Sequence, residues 1–94
     1  MLLFVGNPSY AGIKAGTKRY ELRSGPRYRN VKAGDELSIN GRFRVRVTRV
    51  DCFDRAEEAS RASRAAGYYL SVPAIRACYP DASDLRFFHF SLIP

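Results

Sequence analysis

Histidine and cysteine are scarce in this chain. One histidine and two cysteines cannot complete a zinc set, and neither Cys52 nor Cys78 belongs to a Cys-x-x-Cys pair. Each cysteine sits in an apolar stretch, so small buried thiols are expected. His89 lies between Phe88 and Phe90 and reads as a structural residue on a strand. No serine or cysteine stands at a recognisable spacing from it, which leaves a nucleophilic triad without support. No apolar run approaches the ~20 residues that a membrane helix needs. Met1–Val5 is apolar but stops at Gly6-Asn7-Pro8 and lacks the basic start of a secretory signal. A cytoplasmic protein with no membrane association is therefore expected. The pairs Asp51/Asp54 and Asp81/Asp84 read as turn and cap acids, and neither a metal nor a cofactor is expected. There is no internal repeat, low-complexity tract or linker.

With 94 residues, one domain spanning residues 1–94 is expected. A domain of this size buries about 60–65% of its unfolded surface, so a functional site is expected as a shallow groove and not an enclosed chamber. Hydrophobic residues make up 46% of the chain, too many for a disordered polymer.

Acidic residues are rare in the first half. Residues 1–50 hold 11 Lys and Arg against 3 Asp and Glu, whereas residues 51–94 hold 5 against 6. All the excess positive charge lies in one half, which points to a face for polyanions; the alternative is an arginine-rich surface that serves solubility.

The order of elements follows from punctuation and periodicity. Leu2–Val5 reads as a short buried strand. A helix through about Ala15 follows, capped by Asn7 or Ser9 and ended by Gly16. From Thr17 the pattern alternates, with Tyr20 and Leu22 on one face and Arg19, Glu21 and Arg23 on the other. Lys18 has the parity of the apolar face, so it must lie in the turn before regular pleating, or a bulge must intervene. Ser24–Asn30 is a basic, aromatic loop. Glu36–Ile39 is a strand, Asn40-Gly41 a two-residue hairpin turn, and Arg42–Val47 the return strand with Phe43, Val45 and Val47 inward. The apolar parity changes after Thr48, which predicts a bulge or bend near Thr48–Arg49. Asp54 and Glu57 form a capping box for a helix to about Ala66, ended by Gly67. Ser71-Val72-Pro73 starts a second short helix that ends before Tyr79-Pro80, and Leu85–Leu92 is the last strand. The order suggests an α+β fold with a mixed, curved sheet.

Gly16-x-Lys18-x-x-Glu21-x-Arg23 after a helix resembles the opening motif of ASCH domains, a branch of the PUA-like superfamily. Lys32-Ala33-Gly34-Asp35-Glu36-Leu37 is similar to the family's glycine–aspartate lead-in to its next strand. Gly67-Tyr68, the helix after it, Tyr79-Pro80 and a terminal strand ending in Phe90 match the family's order. The resemblance runs from about Tyr10 to Leu92. It implies a small PUA-like β-barrel of five to six strands with flanking short helices. It also implies a cleft lined by Lys18, Glu21 and Arg23 that binds RNA or a nucleotide. Some ASCH relatives hydrolyse acetylated cytidine with a lysine, a threonine and a glutamate, and others are described as metal-assisted ribonucleases. The match to the amidohydrolase set is incomplete. Lys18 fits the lysine, but Glu21 stands in place of the threonine. Ala65-Ala66-Gly67-Tyr68 supplies no acid where the glutamate belongs, and Glu57 and Glu58 lie about two helical turns too early.

The candidate site residues form three groups. Lys18 beside Glu21 can hold a phosphate or move protons, with both as catalytic residues if the protein is an enzyme, or the pair can be a salt bridge tying the turn to the strand. Arg42, Arg44 and Arg46 share one strand face over about 13 Å, commensurate with phosphates about 6–7 Å apart along a nucleic-acid strand; the alternative is a charged face that resists aggregation. Arg27, Tyr28 and Arg29 offer charge and a stacking ring, and Tyr10 with Lys14 can contribute from the cleft side. The expected partner is RNA or single-stranded nucleic acid, or a nucleotide. A small hydrolase acting on a modified nucleoside or on RNA, and a protein-interaction module for an acidic partner, stay open.

Overall fold

The computed structural model describes residues 1–67 and 69–94; Tyr68, the second residue of the Gly67-Tyr68 pair, lies outside the described residues. The elements are β1 (Leu2–Leu3), α1 (Asn7–Ala15), β2 (Tyr20–Ser24), a 3-10 turn (Pro26–Tyr28), β3 (Glu36–Ile39), β4 (Phe43–Phe53), α2 (Ala56–Ala65), α3 (Val72–Cys78) and β5 (Leu85–Leu92). The strands form one five-stranded sheet of order β1-β3-β4-β5-β2. β1 is parallel to β3, and β3 antiparallel to β4. The fold is thus α+β with a mixed sheet, and the sheet runs from β1 at one end to β2 at the other without closing. Among the described residues, no helix is long and apolar enough to cross a membrane.

The chain makes two compact units. The first comprises Met1–Glu21, Val31–Val50 and Phe88–Pro94, and the second Leu22–Asn30 and Asp51–Phe87. The core of the first is built from Leu3, Ile13, Leu37, Ile39, Val45, Val47, Phe88 and Phe90, all buried. That of the second is built from Leu22, Ala56, Ala59, Ile75, Ala82, Leu85 and Phe87.

In the first unit, α1 opens on Gly6 at the N-cap with Pro8 in the first turn, where its missing N–H costs nothing. The expected cap by Asn7 or Ser9 is corrected. Asn7 is already helical, and no side chain among the described residues caps the helix. At the other end Gly16 adopts φ 80°. Its N–H donates to Ile13 O, and the N–H of Thr17 donates to Gly12 O. This is the Schellman closure that a left-handed glycine permits. The Lys18 N–H also donates to Gly12 O, so the chain reverses tightly over Gly12. A methyl group there would stand 3.1 Å from Lys18 Cβ.

The chain turns at Asn40-Gly41 as expected, but the loop holds three residues, Asn40, Gly41 and Arg42, and not two. Asn40 and Gly41 have positive φ, 53° and 73°, and Arg42 N–H donates to Ile39 O at 2.9 Å, as a primed β-turn over residues 39–42 requires. The expected start of the return strand at Arg42 is corrected: Arg42 is an extra residue ahead of β4, and the register pairs Ile39 with Phe43, Ser38 with Arg44, Leu37 with Val45 and Glu36 with Arg46. The Asn40 side chain then does a strand's work: Val5 N–H donates to its Oδ1 and its Nδ2 donates to Val5 O. The edge segment is held by that amide beyond the two residues of β1.

β4 alternates cleanly through Val47; then Thr48 and Arg49 are both exposed and the strand runs on to Phe53. In the second unit, the expected capping box is corrected. Helix α2 begins at Ala56 with Arg55 at the N-cap. The Glu57 carboxylate accepts from Arg76 at 2.5 Å and so is not available to reach back to the cap. Its own backbone N–H, with Arg76 and Arg55, holds its carboxyl below the usual range. α3 starts where expected, and Ser71 Oγ caps it by accepting from Ala74 N–H at 3.2 Å. The cysteines are corrected too: Cys52 and Cys78 are both exposed thiols. Cys52 follows the parity break in β4, and Cys78 closes α3, whose buried contact is Ile75.

Asn40→Ala is expected to lose both bonds to Val5 and to strain the positive φ. The combined destabilisation should be about 2 kcal/mol, read as a lowered urea midpoint with unchanged slope.

Candidate functional site

Lys18 lies in the turn before β2, as parity demanded. Its ammonium donates to Ser9 Oγ at 2.6 Å and stands 3.4 Å from both carboxylate oxygens of Glu21. Lys18 is 22% exposed and Glu21 15%. An ammonium has three donors, and here three acceptors surround it. The group also lies 5.5 Å from the centroid of the Tyr20 ring. Burial first, and the Glu21 charge second, raise the Tyr20 phenol above its ordinary value. Lys18 and Glu21 belong to the first unit and Arg23 to the second. The Nε of Arg23 is buried and makes no hydrogen bond among the described residues, though the residue takes part in other interactions. Ser9 was legible in the sequence only as a possible cap. Its contact with Lys18 arises because the reversal over Gly12 carries Lys18 back along α1.

A separate concavity lies in the same unit. Tyr10, Lys14, Arg42, Phe43 and the terminal residues Leu92, Ile93 and Pro94 line a hollow of about 530 Å³. Tyr10 and Lys14 are four apart on α1 and so share a face. The Lys14 ammonium sits 6.0 Å from the Tyr10 ring centroid. Tyr10 meets Phe43 edge to face, with centroids 5.5 Å apart, the favoured aromatic geometry. Arg42 is the last residue of the hairpin loop, just ahead of β4. A smaller hollow of about 270 Å³ shares Tyr10 and Arg42 and adds Asn7 and Asn40. Two cations and two rings therefore surround one opening, a chemistry suited to an anion with a planar group.

The arginine row divides. Arg44 donates to Glu36 Oε1 at 3.2 Å, and Arg46 to Glu36 Oε2 at 3.3 Å. The β3–β4 register puts that carboxylate opposite Arg46 and diagonal to Arg44. Arg42 instead lines the two hollows. In the second unit, Arg29 Nε donates to Asp84 Oδ2 at 2.6 Å, and Arg86 holds the other oxygen at 3.1 Å. Arg27 sits 5.8 Å from the Tyr28 ring centroid. Ser24 Oγ and Gly25 N–H donate to the carbonyls of Ser83 and Asp84, so the loop is tied down by the same segment that neutralises Arg29. Among the described residues no three His, Cys, Asp or Glu side chains gather to hold a metal.

No family model matches the chain, and no curated protein matches it. Solved structures do. The fold is similar to the crystal structure of the hypothetical protein PH0355, with a TM-score of 0.79 and 18% identity over 98% of this chain and 97% of that one. It is also similar to the solution NMR structure of the protein PF0455 from Pyrococcus furiosus, with a TM-score of 0.69 and 17% identity over 98% and 96%. At such identities the likeness shows the fold alone.

A raised phenol pKa has a definite sign. Stability from the neutral Tyr20 is fully present below about pH 10 and is lost as pH rises through the higher folded value. Alkaline titration followed at 295 nm is expected to show a late phenolate component from Tyr20. Tyr20→Phe should remove it, and Glu21→Gln should move it only part of the way down, since burial is the larger cause.

Proposed function

We propose that this chain is a PUA-like, ASCH-related module that binds single-stranded RNA or a nucleotide, its open sheet taking the place of the family's small barrel. The observation that carries this reading is the hollow where Tyr10, Lys14 and Arg42 meet over Phe43. A base stacks against the Tyr10 ring there, and Lys14 and Arg42 take the flanking phosphate. The strong positive excess of residues 1–50 supports it by drawing polyanions to this unit. Lys18 and Glu21 hold the turn that closes α1 and so fix the helix face carrying Tyr10 and Lys14. Arg44 and Arg46 add attraction from beside Glu36.

Binding of a fluorescein-labelled single-stranded RNA, followed by anisotropy, is expected to weaken linearly in log–log plots against salt. Arg42→Ala and Lys14→Ala should each reduce the slope by about 0.7. Tyr10→Ala should weaken binding about 5- to 150-fold, the loss of one stacked base. Salt-independent titrations, or full affinity in all three variants, reject the reading. Because Glu36 holds two arginines at once, Glu36→Gln is expected to tighten binding and steepen the slope. A weaker complex in that variant would show that Glu36 serves the ligand and not the arginines.

A second reading rests on the 2.6 Å contact between Ser9 Oγ and Lys18. It places a hydroxyl beside the lysine even though Glu21 stands where the amidohydrolases have threonine, which keeps hydrolysis of a modified nucleoside in view. Turnover of acetylated cytidine that disappears in both Ser9→Ala and Lys18→Ala, with circular dichroism unchanged, is the expected result of that reading; absence of turnover in the unmodified protein ends it.

A further inference from the structure

We propose a second nucleic-acid contact, in the other unit, at the end of α2. Ser60, Arg61, Arg64, Ala65 and Tyr69 line a hollow of about 400 Å³. Nothing in the reading of the first unit requires it, and it shares no residue with that site.

The local construction starts from two serines on a helix face that otherwise buries alanine. Ser63 is fully buried and Ser60 nearly so, an expensive place for hydroxyls unless they are bonded. Both are bonded, and to the same neighbouring segment. Ser60 Oγ donates to Leu70 O at 2.7 Å, and Leu70 N–H donates to Ser63 Oγ at 2.9 Å. Ser63 Oγ in turn donates to Ser60 O at 2.7 Å. Together they take both backbone polar groups of Leu70, as a strand partner would. The residue before it, Tyr69, is thereby held beside the helix.

Tyr69 is nonetheless 56% exposed. Its ring lies under the guanidinium of Arg64, 4.7 Å from centroid to Cζ, a cation–π pair. Arg61 stands one turn earlier on the same helix face, so the two arginines lie about 5–6 Å apart at their Cβ atoms. A planar cation on a planar ring gives a platform that accepts any base, while Arg61 is placed for the phosphate. A plain macrodipole role for Arg64 at the helix end would need neither the ring beneath it nor the serine clamp behind the ring. The occupant is a single-stranded nucleic acid, taken as one nucleotide with its phosphate. An acidic peptide would use the two charges and leave the stacking surface idle.

The test is anisotropy of a labelled single-stranded hexanucleotide RNA with the full chain over a range of salt. The variants are Arg61→Ala, Arg64→Ala, Arg64→Lys and Tyr69→Ala, with Arg42→Ala as the control for the first unit. Arg61→Ala and Arg64→Ala are expected to lower the salt slope by about 0.7 each. Arg64→Lys should keep the slope but lose several-fold in affinity, because lysine retains the charge and not the planar stack. Tyr69→Ala should weaken binding about 5- to 150-fold; thermal melts identify any variant that is misfolded, and Tyr69→Leu, apolar without a π face, then takes its place with the same expected loss. Wild-type affinity and slope in both arginine-to-alanine variants overturn the proposal, whatever Arg42→Ala does. A loss confined to Arg42→Ala leaves the first site standing alone. A loss confined to the α2 variants upholds this site and removes the reading of the first. Equal displacement of the RNA by poly-glutamate at matched charge would also overturn it, since that competitor lacks bases.

Discussion

Two backbone dihedral angles at Asn40 and Gly41 govern more of this molecule than any side-chain contact. Because both residues take positive φ, the chain reverses between Ile39 and Arg42, and with Arg42 left over as an extra loop residue the ladder resumes with Phe43 opposite Ile39. The register that results lays Glu36 across from Arg46, where one carboxylate can hold two guanidinium groups. It delivers Arg42 into the hollow beside Tyr10. It also turns the Asn40 amide toward Val5, which secures the first edge of the sheet. Structure, charge balance and candidate site in the first unit all depend on that turn.

The distribution of positive charge looks different once partners are assigned. The first half of the sequence has a large surplus of cations, yet its carboxylates sit among them. Glu36 serves Arg44 and Arg46, and Glu21 serves Lys18. Asp84, from the less basic half, serves Arg29. Lys14 and Arg42 are instead found with rings, not carboxylates, around an opening. A surface pair in water contributes little to stability, so these carboxylates matter more for which cations face a ligand than for holding the fold together.

Much of this was legible in the sequence, and the reasons for the rest are physical. Local signals read well. Asn-Gly marked the chain reversal, though not the extra residue Arg42; Gly16 marked its helix end, Ser71-Val72-Pro73 the start of α3, and the alternation of residues 43–47 the buried face of β4. Signals that depend on competition read poorly. Asp54 and Glu57 have the spacing of a capping box, but Arg76, nineteen residues away, wins the carboxylate. The parity of Arg42, Arg44 and Arg46 was clear, but only the pairing of β3 with β4 reveals Glu36 opposite Arg46 and diagonal to Arg44. Lys18 and Glu21 were adjacent on paper; Ser9, the closest partner of the ammonium, becomes visible only when the chain folds back over Gly12. Tyr10 and Lys14 were legible as contributors from the cleft side, whereas the closure of their hollow by Phe43 and residues 92–94 was not. The α2 hollow left a fainter trace: serines where the helix face calls for alanine.

β5 carries a further constraint. Leu85 and Phe87 are buried on one parity, Phe88 and Phe90 on the other, and the two adjacent phenylalanines are both wholly inaccessible to solvent. The strand therefore has no wet side at its middle, and each of its aromatic rings is committed by its place in the count. Gaining or losing a single residue anywhere between Leu85 and Phe90 would send one pair of large apolar groups to the wrong address. Homologues of this fold should thus vary in length at their turns and leave the last strand's spacing untouched.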